Sequence, residues 1–225
     1  MTLKIKFILN AFVSSFLFSI VLFVSAGRIA YFQGWIYLLT NVVVTLMNVL
    51  TLQSNPDLMS ERTKPGEGTK SWDKLILGAS FLVFVSTIVL AGLDSGRYRW
   101  SPQLHWGIYA LGILLMISGQ IAFLLARREN MFFSTVVRIQ RERGHTVCDS
   151  GVYRVIRHPG YLGMMISTMG LPFLLGSLWC VLPTILAVIL LCIRTFLEDR
   201  TLKDELTGYL EYTRKTRYKL VPWVW

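Results

Sequence analysis

Long runs of uncharged, apolar residues are the feature that most limits what this chain can fold into. Four of them approach or exceed the roughly 20 residues that an α-helix needs to cross the hydrocarbon core of a bilayer. They are residues 7–26, 31–52, 75–93 and 106–126. Hydrophobic residues make up 53% of the 225 positions, a higher share than a soluble domain of this length carries. The sequence therefore predicts an all-α integral membrane protein.

Two further apolar segments, residues 161–176 and 177–193, follow each other almost without a gap. Such a pair is typical of a tight helical hairpin near the C-terminus, and we expect its turn at Gly176. Pro172 and Pro183 are expected to kink the two arms. A kink at Pro172 would let the first arm re-enter the membrane without crossing it. We therefore expect about six transmembrane helices, or five and a re-entrant helix.

The first apolar run follows Lys4 and Lys6, as the core of a secretory signal peptide would. It is longer than the roughly 7–15 apolar residues of such a core. We therefore expect this run to be retained as the first transmembrane helix.

Basic residues are divided very unequally between the two sides that six spans would define. Of the 23 Lys and Arg residues, 20 fall in the N-terminus, the 53–74 loop, the 127–160 segment and the C-terminal tail, which share one side. The other three are Arg28, Arg97 and Arg99. Under the positive-inside rule, this distribution predicts a multi-pass protein with both termini in the cytoplasm.

The same distribution accounts for the formal net charge of +10 without a nucleic-acid partner. The basic residues flank predicted spans, where they meet membrane lipid, and no nucleic-acid-binding motif accompanies them. Cys148, Cys180 and Cys192 show no CxxC spacing, so neither a disulfide nor a metal site is expected.

Polar sequence is concentrated after residue 126, which divides the chain into two regions. Residues 1–126 are predicted to form a transmembrane scaffold of four spans. Residues 127–225 are predicted to hold cytoplasmic cofactor-binding segments, the hairpin and the tail. Residues 55–74 carry charges of both signs, which usually indicates a solvated connection. The aromatic and basic tail from Gly208 is typical of a segment that lies at the membrane interface and can fold back as a lid.

The stretch GVYRVIRHPGY, residues 151–161, brings charge to the start of the fifth span. Pro159 suits the first turn of a helix, because its missing N–H leaves no hydrogen bond unmade there. His158 and Tyr161 would then lie beside free backbone N–H groups and the positive end of the helix dipole. This arrangement favours a carboxylate or a phosphate.

Arg194 and Glu198 are four positions apart at the end of the hairpin's second arm, so they share one helix face. An ionisable residue within a span is a functional candidate, although Arg194 could instead extend from the span end towards water. The hairpin would bring this face close to His158 and Tyr161. Together the two polar helix ends would surround one cavity that suits a zwitterionic nucleoside.

The sequences GHTVCDSGVYRVIRHPGYLG and RTFLEDRTLKDELTGYLEYTRKTRYKLVPW, separated by the apolar hairpin, resemble the isoprenylcysteine carboxyl methyltransferase family of membrane enzymes. They are also similar to the wider group that includes the phospholipid N-methyltransferases. The resemblance covers about residues 130–222. Its H-x7-Y-x4-HPxY spacing with a downstream R-x3-E is specific. It implies S-adenosylmethionine as methyl donor and a lipophilic, isoprenoid-like or prenylated acceptor.

By position, the resemblance implies a set of cofactor-binding residues, namely Gln140, His145, Thr146, Val147, Cys148, Tyr153, His158, Pro159, Gly160, Tyr161 and Glu198. It implies a catalytic role for Arg194, which would hold the acceptor, and for Glu198. Asp199 stands where many relatives have a second glutamate, and we expect it to matter less. A carboxylate acceptor is already ionised, whereas an amine acceptor would need a base such as Glu198 or Asp199.

Two other functions fit parts of the sequence. Sterol-type membrane reductases, which bind NADPH, have a similar HPxY region and an aromatic tail that TRYKLVPWVW resembles. This chain is short for such an enzyme, and no additional basic cluster marks a site for the 2′-phosphate. A transporter or another non-enzymatic membrane protein is the third possibility. The methyltransferase remains the function that the sequence favours.

Overall fold

A computed structural model describes residues 3–53, 61 and 67–225 of the chain. These residues form helices joined by short connections and by one long segment between residues 130 and 158. The helices are α1 (Leu3–Ala26), α2 (Phe32–Gln53), α3 (Ser71–Ala91), a π-helix (Gly92–Tyr98), α4 (Trp106–Glu129), α5 (Pro159–Leu175), α6 (Val181–Glu205) and α7 (Tyr209–Lys215). Two short 3-10 helices, Arg141–Arg143 and Gly151–Arg154, interrupt the long segment.

Five helical stretches are long and apolar enough to cross a membrane. They are Ile8–Ala26, Phe32–Thr51, Ser71–Tyr98, Trp106–Glu129 and Val181–Glu205. Helix α5 is equally apolar but has 17 residues, fewer than the roughly 20 that a full span needs. The predicted all-α, multi-pass membrane fold is confirmed, and the helices match the expectation of five spans with one shorter apolar helix.

The ends of the helices gather in two groups, which we name by a buried aspartate in each. At the Asp94 end, the hydroxyl of Ser177 donates to the carboxylate of Asp94 at 2.5 Å, and Arg97 donates to the carbonyl of Val24 at 3.1 Å. At the Asp199 end, Arg157 donates to the carboxylate of Asp199 at 2.8 Å. The long segment and the C-terminal tail both lie at the Asp199 end, because their side chains and carbonyls bond to residues there.

Helices α4 and α5 pack with their backbones in direct contact. A Cβ atom on Gly119 would lie 2.5 Å from the carbonyl oxygen of Gly163, and one on Gly163 would lie 2.6 Å from that of Gly119. Small residues permit this close approach between helices in a membrane, where packing and hydrogen bonds drive association. The hydroxyl of Ser167 donates to the carbonyl of Met116 at 3.0 Å across the same interface. Helix α5 is thereby fixed, and with it the predicted site at its start.

The predicted hairpin is present, with its turn at Gly176. This residue ends α5 in a left-handed conformation, with φ of 62°. Pro172 lies inside α5 as expected. The expected kink at Pro183 is wrong, because α6 begins at Val181 and Pro183 falls in its first turn. An N–H group in a first turn has no partner within the helix, so a proline interrupts nothing there.

Helix α6 continues beyond the predicted span, which ended at residue 193, as far as Glu205. Arg194 and Glu198 therefore lie in the interior of one continuous helix instead of at its end. The additional turns project from the apolar part of the bundle at the Asp199 end, where the long segment packs around them.

Candidate active site

A cavity of about 310 Å³ lies at the Asp199 end, enclosed by the long segment and by the adjoining parts of α5, α6 and α7. Aromatic and aliphatic residues form the larger part of its walls, and polar and charged side chains are interspersed among them. The aromatic lining residues are Phe123, Phe132, Phe133, Tyr153, Tyr161, Tyr209 and Tyr212. An apolar cavity with a few convergent polar groups is the usual form of a small-molecule site.

Ten of the twelve residues that the sequence proposes for the site line this cavity. They are His145, Thr146, Val147, Cys148, Tyr153, His158, Gly160, Tyr161, Arg194 and Glu198. Gln140 and Pro159 do not line it. Gln140 is fully buried behind the wall, where its side-chain amide donates to the carbonyl of Phe132 at 2.7 Å. Pro159 is the first residue of α5, as the sequence predicts.

Tyr161 and Glu198 meet inside the cavity, as the hairpin predicts. The phenol of Tyr161 donates to Oε2 of Glu198 at 2.5 Å. The other carboxylate oxygen, Oε1, has no hydrogen-bond partner among the residues that the structure describes. The guanidinium of Arg194 lies over the ring of Tyr161, 5.5 Å from its centroid. A carboxylate, a phenol and a cation from two helices therefore line one wall.

Arg194 also forms a buried ion pair that sequence reasoning missed. Its Nε donates to Oδ1 of Asp73 at 2.7 Å and its Nη2 to Oδ2 at 3.2 Å. Nη2 also donates to the carbonyl of Thr135 at 2.9 Å, while Asp73 accepts the N–H of Val137 at 2.8 Å. Asp73 is fully buried and Arg194 is 7% exposed. The pair therefore fastens the cavity wall around residues 135–137 to both α3 and α6.

The expectation that residues 55–74 form a solvated connection is wrong for two acidic residues, Glu61 and Asp73, which are buried. Asp73 belongs to the ion pair above, and Glu61 is 5% exposed. Glu61 accepts hydrogen bonds from Nε and Nη2 of Arg138 at 3.0 and 2.7 Å. Residues 54–60 and 62–66 lie outside the described residues. One signal was in the sequence, because Asp73 is an acid at the start of a long apolar helix.

Asp199 lies behind the cavity wall as the centre of a charge network. It is 1% exposed and does not line the cavity. Its carboxylate oxygens lie near Arg157 Nε (2.8 Å), Lys203 Nζ (3.0 Å), Tyr209 Oη (3.1 Å), His158 Nε2 (3.3 Å) and Lys219 Nζ (3.6 Å). Sequence reasoning gave Asp199 a minor place, yet it joins α6, the start of α5 and the tail.

The C-terminal tail folds back onto the start of α5, as the sequence predicts. The N–H of Arg157 donates to the carbonyl of Tyr218 and that of His158 to the carbonyl of Lys219, both at 2.9 Å. The N–H groups of Gly160 and Tyr161, in the first turn of α5, have no partner among the described residues. The start of the helix therefore keeps two donors for an anionic group.

The imidazole of His145 is neutral at physiological pH. Its ring stacks on that of Phe132 with centroids 4.5 Å apart, and its Nδ1 accepts the N–H of Gln140 at 3.2 Å. Burial, followed by the positive charges of Arg138 and Arg143, lowers the pKa of His145 to about 4. Burial also raises the pKa of the Cys148 thiol. Neither side chain is therefore suited to act as a charged catalytic group at neutral pH.

Comparison with known families gives a match at the same part of the chain. Residues 108–206 match the family model described as phospholipid methyltransferase. The matched region begins in α4 and ends just after α6, so it includes most of the cavity wall.

Several curated proteins are similar to the chain over part of its length. The probable protein-S-isoprenylcysteine O-methyltransferase of Oryza sativa subsp. indica is 29% identical over 97 residues, which are 43% of this chain and 51% of that protein. Protein-S-isoprenylcysteine O-methyltransferase of Saccharomyces cerevisiae is 31% identical over 113 residues, 47% of this chain and 45% of that one. Protein-S-isoprenylcysteine O-methyltransferase B of Arabidopsis thaliana is 36% identical over 70 residues, 29% and 34% of the two chains. The chain thus spans about half, or less, of the length of these relatives.

Among solved structures, the chain is similar to the eukaryotic intramembrane Ras methyltransferase ICMT (isoprenylcysteine carboxyl methyltransferase), determined without a monobody. The identity is 16% and the TM-score 0.49, with 100% of this chain and 88% of that chain covered.

Proposed function

We propose that this protein is an integral-membrane methyltransferase that uses S-adenosylmethionine, because residues 108–206 match the family model for phospholipid methyltransferases, whose members use that cofactor. Its acceptor is a carboxylate, or another nucleophile, on a lipophilic and isoprenoid-like molecule. The reaction takes place at the Asp199 end of the helix bundle. This end faces the cytoplasm together with both termini, because 20 of the 23 basic residues belong to that side.

One observation carries the proposal. Residues from the long segment, α5 and α6 that the sequence singles out separately surround one cavity. Their convergence supports a shared ligand. A purely structural role for the HPGY stretch and for Glu198 would not require them to line the same enclosed space. The family match over residues 108–206 counts against the NADPH-dependent reductase and the transporter.

The chemistry of the cavity fits S-adenosylmethionine. The aromatic rings offer flat surfaces for an adenine ring, and the free Oε1 of Glu198 accepts hydrogen bonds from ribose hydroxyls. The N–H groups of Gly160 and Tyr161 suit the methionine carboxylate. Gly160 lets the ring of Phe133 pack directly against the start of α5, because a Cβ atom there would lie 2.8 Å from that ring. When bound, the cofactor supplies a methyl group on a sulfonium centre.

The protein itself would contribute alignment and exclusion of water. A carboxylate acceptor is ionised at neutral pH, so it needs no nucleophile or base from the chain, and aligning the two reactants provides most of the acceleration. Nη1 of Arg194 has no partner among the described residues. It could bind the acceptor carboxylate while Nε and Nη2 remain on Asp73.

The names of the curated relatives suggest one acceptor and the name of the family suggests another. Protein-S-isoprenylcysteine O-methyltransferases appear among the relatives, which favours the carboxylate of a prenylated cysteine. The family description, phospholipid methyltransferase, favours a lipid amine. An amine must lose a proton, and Glu198 is the carboxylate in the cavity that could accept it. We propose the carboxylate acceptor as the first choice.

Methyl transfer can be tested on the purified protein reconstituted in phosphatidylcholine vesicles with methyl-labelled S-adenosylmethionine. The acceptors are N-acetyl-S-farnesylcysteine, its methyl ester as a matched control without a carboxylate, and phosphatidylethanolamine. Label that base releases as methanol from the first acceptor alone supports the proposal. Label on phosphatidylethanolamine alone would identify a lipid N-methyltransferase. Absence of S-adenosylmethionine binding, with binding of NADPH, would overturn the methyltransferase.

A further inference from the structure

Three arginines line an open basin at the Asp94 end of the bundle, on the opposite side from the cavity. Arg28 follows α1, Arg97 lies in the π-helix, and Arg99 follows it. The basin is completed by Ala26, Gly27 and Gly96. The chain has 23 basic residues, and 20 of them lie on the other side of the membrane in the predicted topology. These three arginines are the remaining ones. The positive-inside rule disfavours cations on this side, yet all three line the same basin.

No described acidic residue forms an ion pair with any of these arginines. The nearest acid along the π-helix, Asp94, is fully buried and already accepts three hydrogen bonds. They come from the N–H of Ser101 at 2.7 Å, its hydroxyl at 2.6 Å and the hydroxyl of Ser177 at 2.5 Å. Nε of Arg28 is buried and has no hydrogen-bond partner among the described residues. A buried donor without an acceptor is costly, which indicates that the basin accommodates an anion.

Two glycines allow the arginines to converge. A Cβ atom on Gly27 would lie 2.8 Å from Nη2 of Arg97, and one on Gly96 would lie 2.5 Å from the Cβ of Ala26. The guanidinium of Arg97 is also held by a hydrogen bond to the carbonyl of Val24 at 3.1 Å. A π-helix, which often marks a functional site, carries Gly96 and Arg97. The basin is therefore a shaped feature and not a chance meeting of three long side chains.

We propose that this basin binds the phosphate headgroup of an anionic phospholipid in the membrane leaflet opposite the catalytic cavity. Guanidinium groups bind phosphate oxygens through paired hydrogen bonds, and three of them can surround one headgroup. Exposed aromatic residues adjoin Arg97 and Arg99 in sequence. Tyr98 and Trp100 are stacked 5.2 Å apart, and Trp179 meets Trp100 edge-on at 6.4 Å. Aromatic side chains of this kind mark the headgroup level of a membrane, which favours a lipid over a soluble phosphate.

The test measures thermal unfolding of the purified full-length chain in neutral detergent with added short-chain lipid. Dihexanoyl phosphatidylglycerol should raise Tm in a saturable way, by about 3–6 °C at ten times its Kd. Dihexanoyl phosphatidylcholine should not. The variant Arg28→Gln/Arg97→Gln/Arg99→Gln should lose the rise. The matched variant Arg128→Gln/Arg200→Gln/Arg214→Gln removes three exposed charges from the Asp199 end and should keep it.

The other outcomes would overturn the proposal. An equal rise in both triple variants would mean that the lipid acts through charge in general, and no rise in the parent would mean that no site exists. A comparable rise with inorganic phosphate would replace the lipid by a soluble anion. If the first triple variant does not fold, Arg28→Lys keeps the charge but removes the Nε donor. It should shrink the rise produced by phosphatidylglycerol, and an unchanged rise would overturn the role of Arg28.

Discussion

Arg194 and Asp73 are 121 positions apart and form a buried ion pair, with 2.7 Å between Nε and Oδ1. The pair joins the part of α6 at the Asp199 end to the first turn of α3, and both partners also bond to the backbone of residues 135–137. A buried pair of this kind costs much to desolvate and is stabilising only while both members are present. The ion pair therefore makes the shape of the cavity depend on α3, a helix that contributes little else to the cavity wall.

The first prediction concerns this pair. Arg194→Ala leaves the Asp73 carboxylate buried without a counter-charge, so the free energy of unfolding should fall by about 3–5 kcal/mol. Asp73→Asn combined with Arg194→Gln should cost less than the sum of the single changes, with a coupling free energy of about 1–3 kcal/mol. Thermal unfolding in detergent measures both.

Lys70 and Glu205 provide the matched control, since they form a pair at 2.6 Å with side chains that are 29% and 35% exposed. Removing either should change stability by about 1 kcal/mol or less. If the losses of stability in the Arg194 and Asp73 single variants simply add up in the double variant, the pair does not hold the wall.

Arg194→Lys should restore little of the turnover lost in Arg194→Ala, because an ammonium cannot bind Asp73 and an acceptor through separate edges.

The second prediction concerns Asp199. Asp199→Asn leaves Arg157 buried without its charge partner, so it should destabilise the protein by about 3–5 kcal/mol and loosen the tail. Faster hydrogen exchange at the amides of Arg157 and His158 would report the loosening, because their N–H groups bond to the tail. Asp204→Asn is the control on the same helix, since its side chain is 66% exposed. Equal exchange in the two variants would contradict the network.

The third prediction concerns cofactor affinity. His158→Ala, Glu198→Ala and the conservative Glu198→Gln should each weaken S-adenosylmethionine binding by about 1–3 kcal/mol, the range for a lost charge-assisted hydrogen bond. Calorimetry would then show a Kd about 5- to 150-fold higher. Tyr161→Phe removes the hydrogen bond to Glu198 and should have a smaller effect of the same sign. Glu211→Gln, an exposed carboxylate on α7, should bind like the parent. Parent-like binding by all the cavity variants would refute the assigned site.

The fourth prediction concerns acid pH. The pKa of His145 is about 4 in the folded protein and about 6.5 in an unfolded chain, so on acidification the unfolded chain takes up the proton first. The contribution of His145 to stability is therefore constant above about pH 6.5 and falls as the pH drops towards 4. His145→Gln keeps an acceptor for the N–H of Gln140 and should remove this part of the pH dependence. An unchanged pH dependence in His145→Gln would contradict this assignment.

The fifth prediction concerns topology. Glu67→Cys and Gln103→Cys place exposed thiols at the two ends of the bundle, in a background where the three native cysteines are replaced by serine. A membrane-impermeant maleimide should label Gln103→Cys in intact cells and Glu67→Cys only after the membrane is opened. Labelling of both positions from one side would contradict the inside-positive orientation.

The transmembrane architecture could be predicted because the transfer of apolar side chains into a bilayer is a local property of each segment. An apolar run such as residues 106–126 therefore predicts the bounds of its helix to within a few residues. The lining of the cavity could be predicted for a related reason. The turn at Gly176 returns the chain to its starting side, which brings Glu198 to Tyr161 whatever the rest of the bundle does.

The charge partners could not be predicted in the same way. Asp73 pairs with Arg194 because α3 and α6 pack side by side, and nothing in the sequence around Asp73 specifies that neighbour. The same is true of Asp199, whose partners come from the residues just before α5, from α6, from α7 and from the tail. A carboxylate among polar residues looks solvated until the packing of other helices removes the water. The extension of α6 to Glu205 was missed because charged residues after Ile193 ended the apolar pattern, although helical propensity continues through them.

The hydrogen bonds from Arg157 and His158 to the tail also set an order of assembly during synthesis. Helices α1 to α5 can leave the ribosome and enter the membrane before residues 218 and 219 have emerged. Until those carbonyls arrive, the backbone just before α5 lacks its partners and the charges around Asp199 are not balanced by Lys219. Insertion of these helices into the bilayer is therefore separated in time from completion of the cavity at the Asp199 end, which forms only after residues 218 and 219 have emerged.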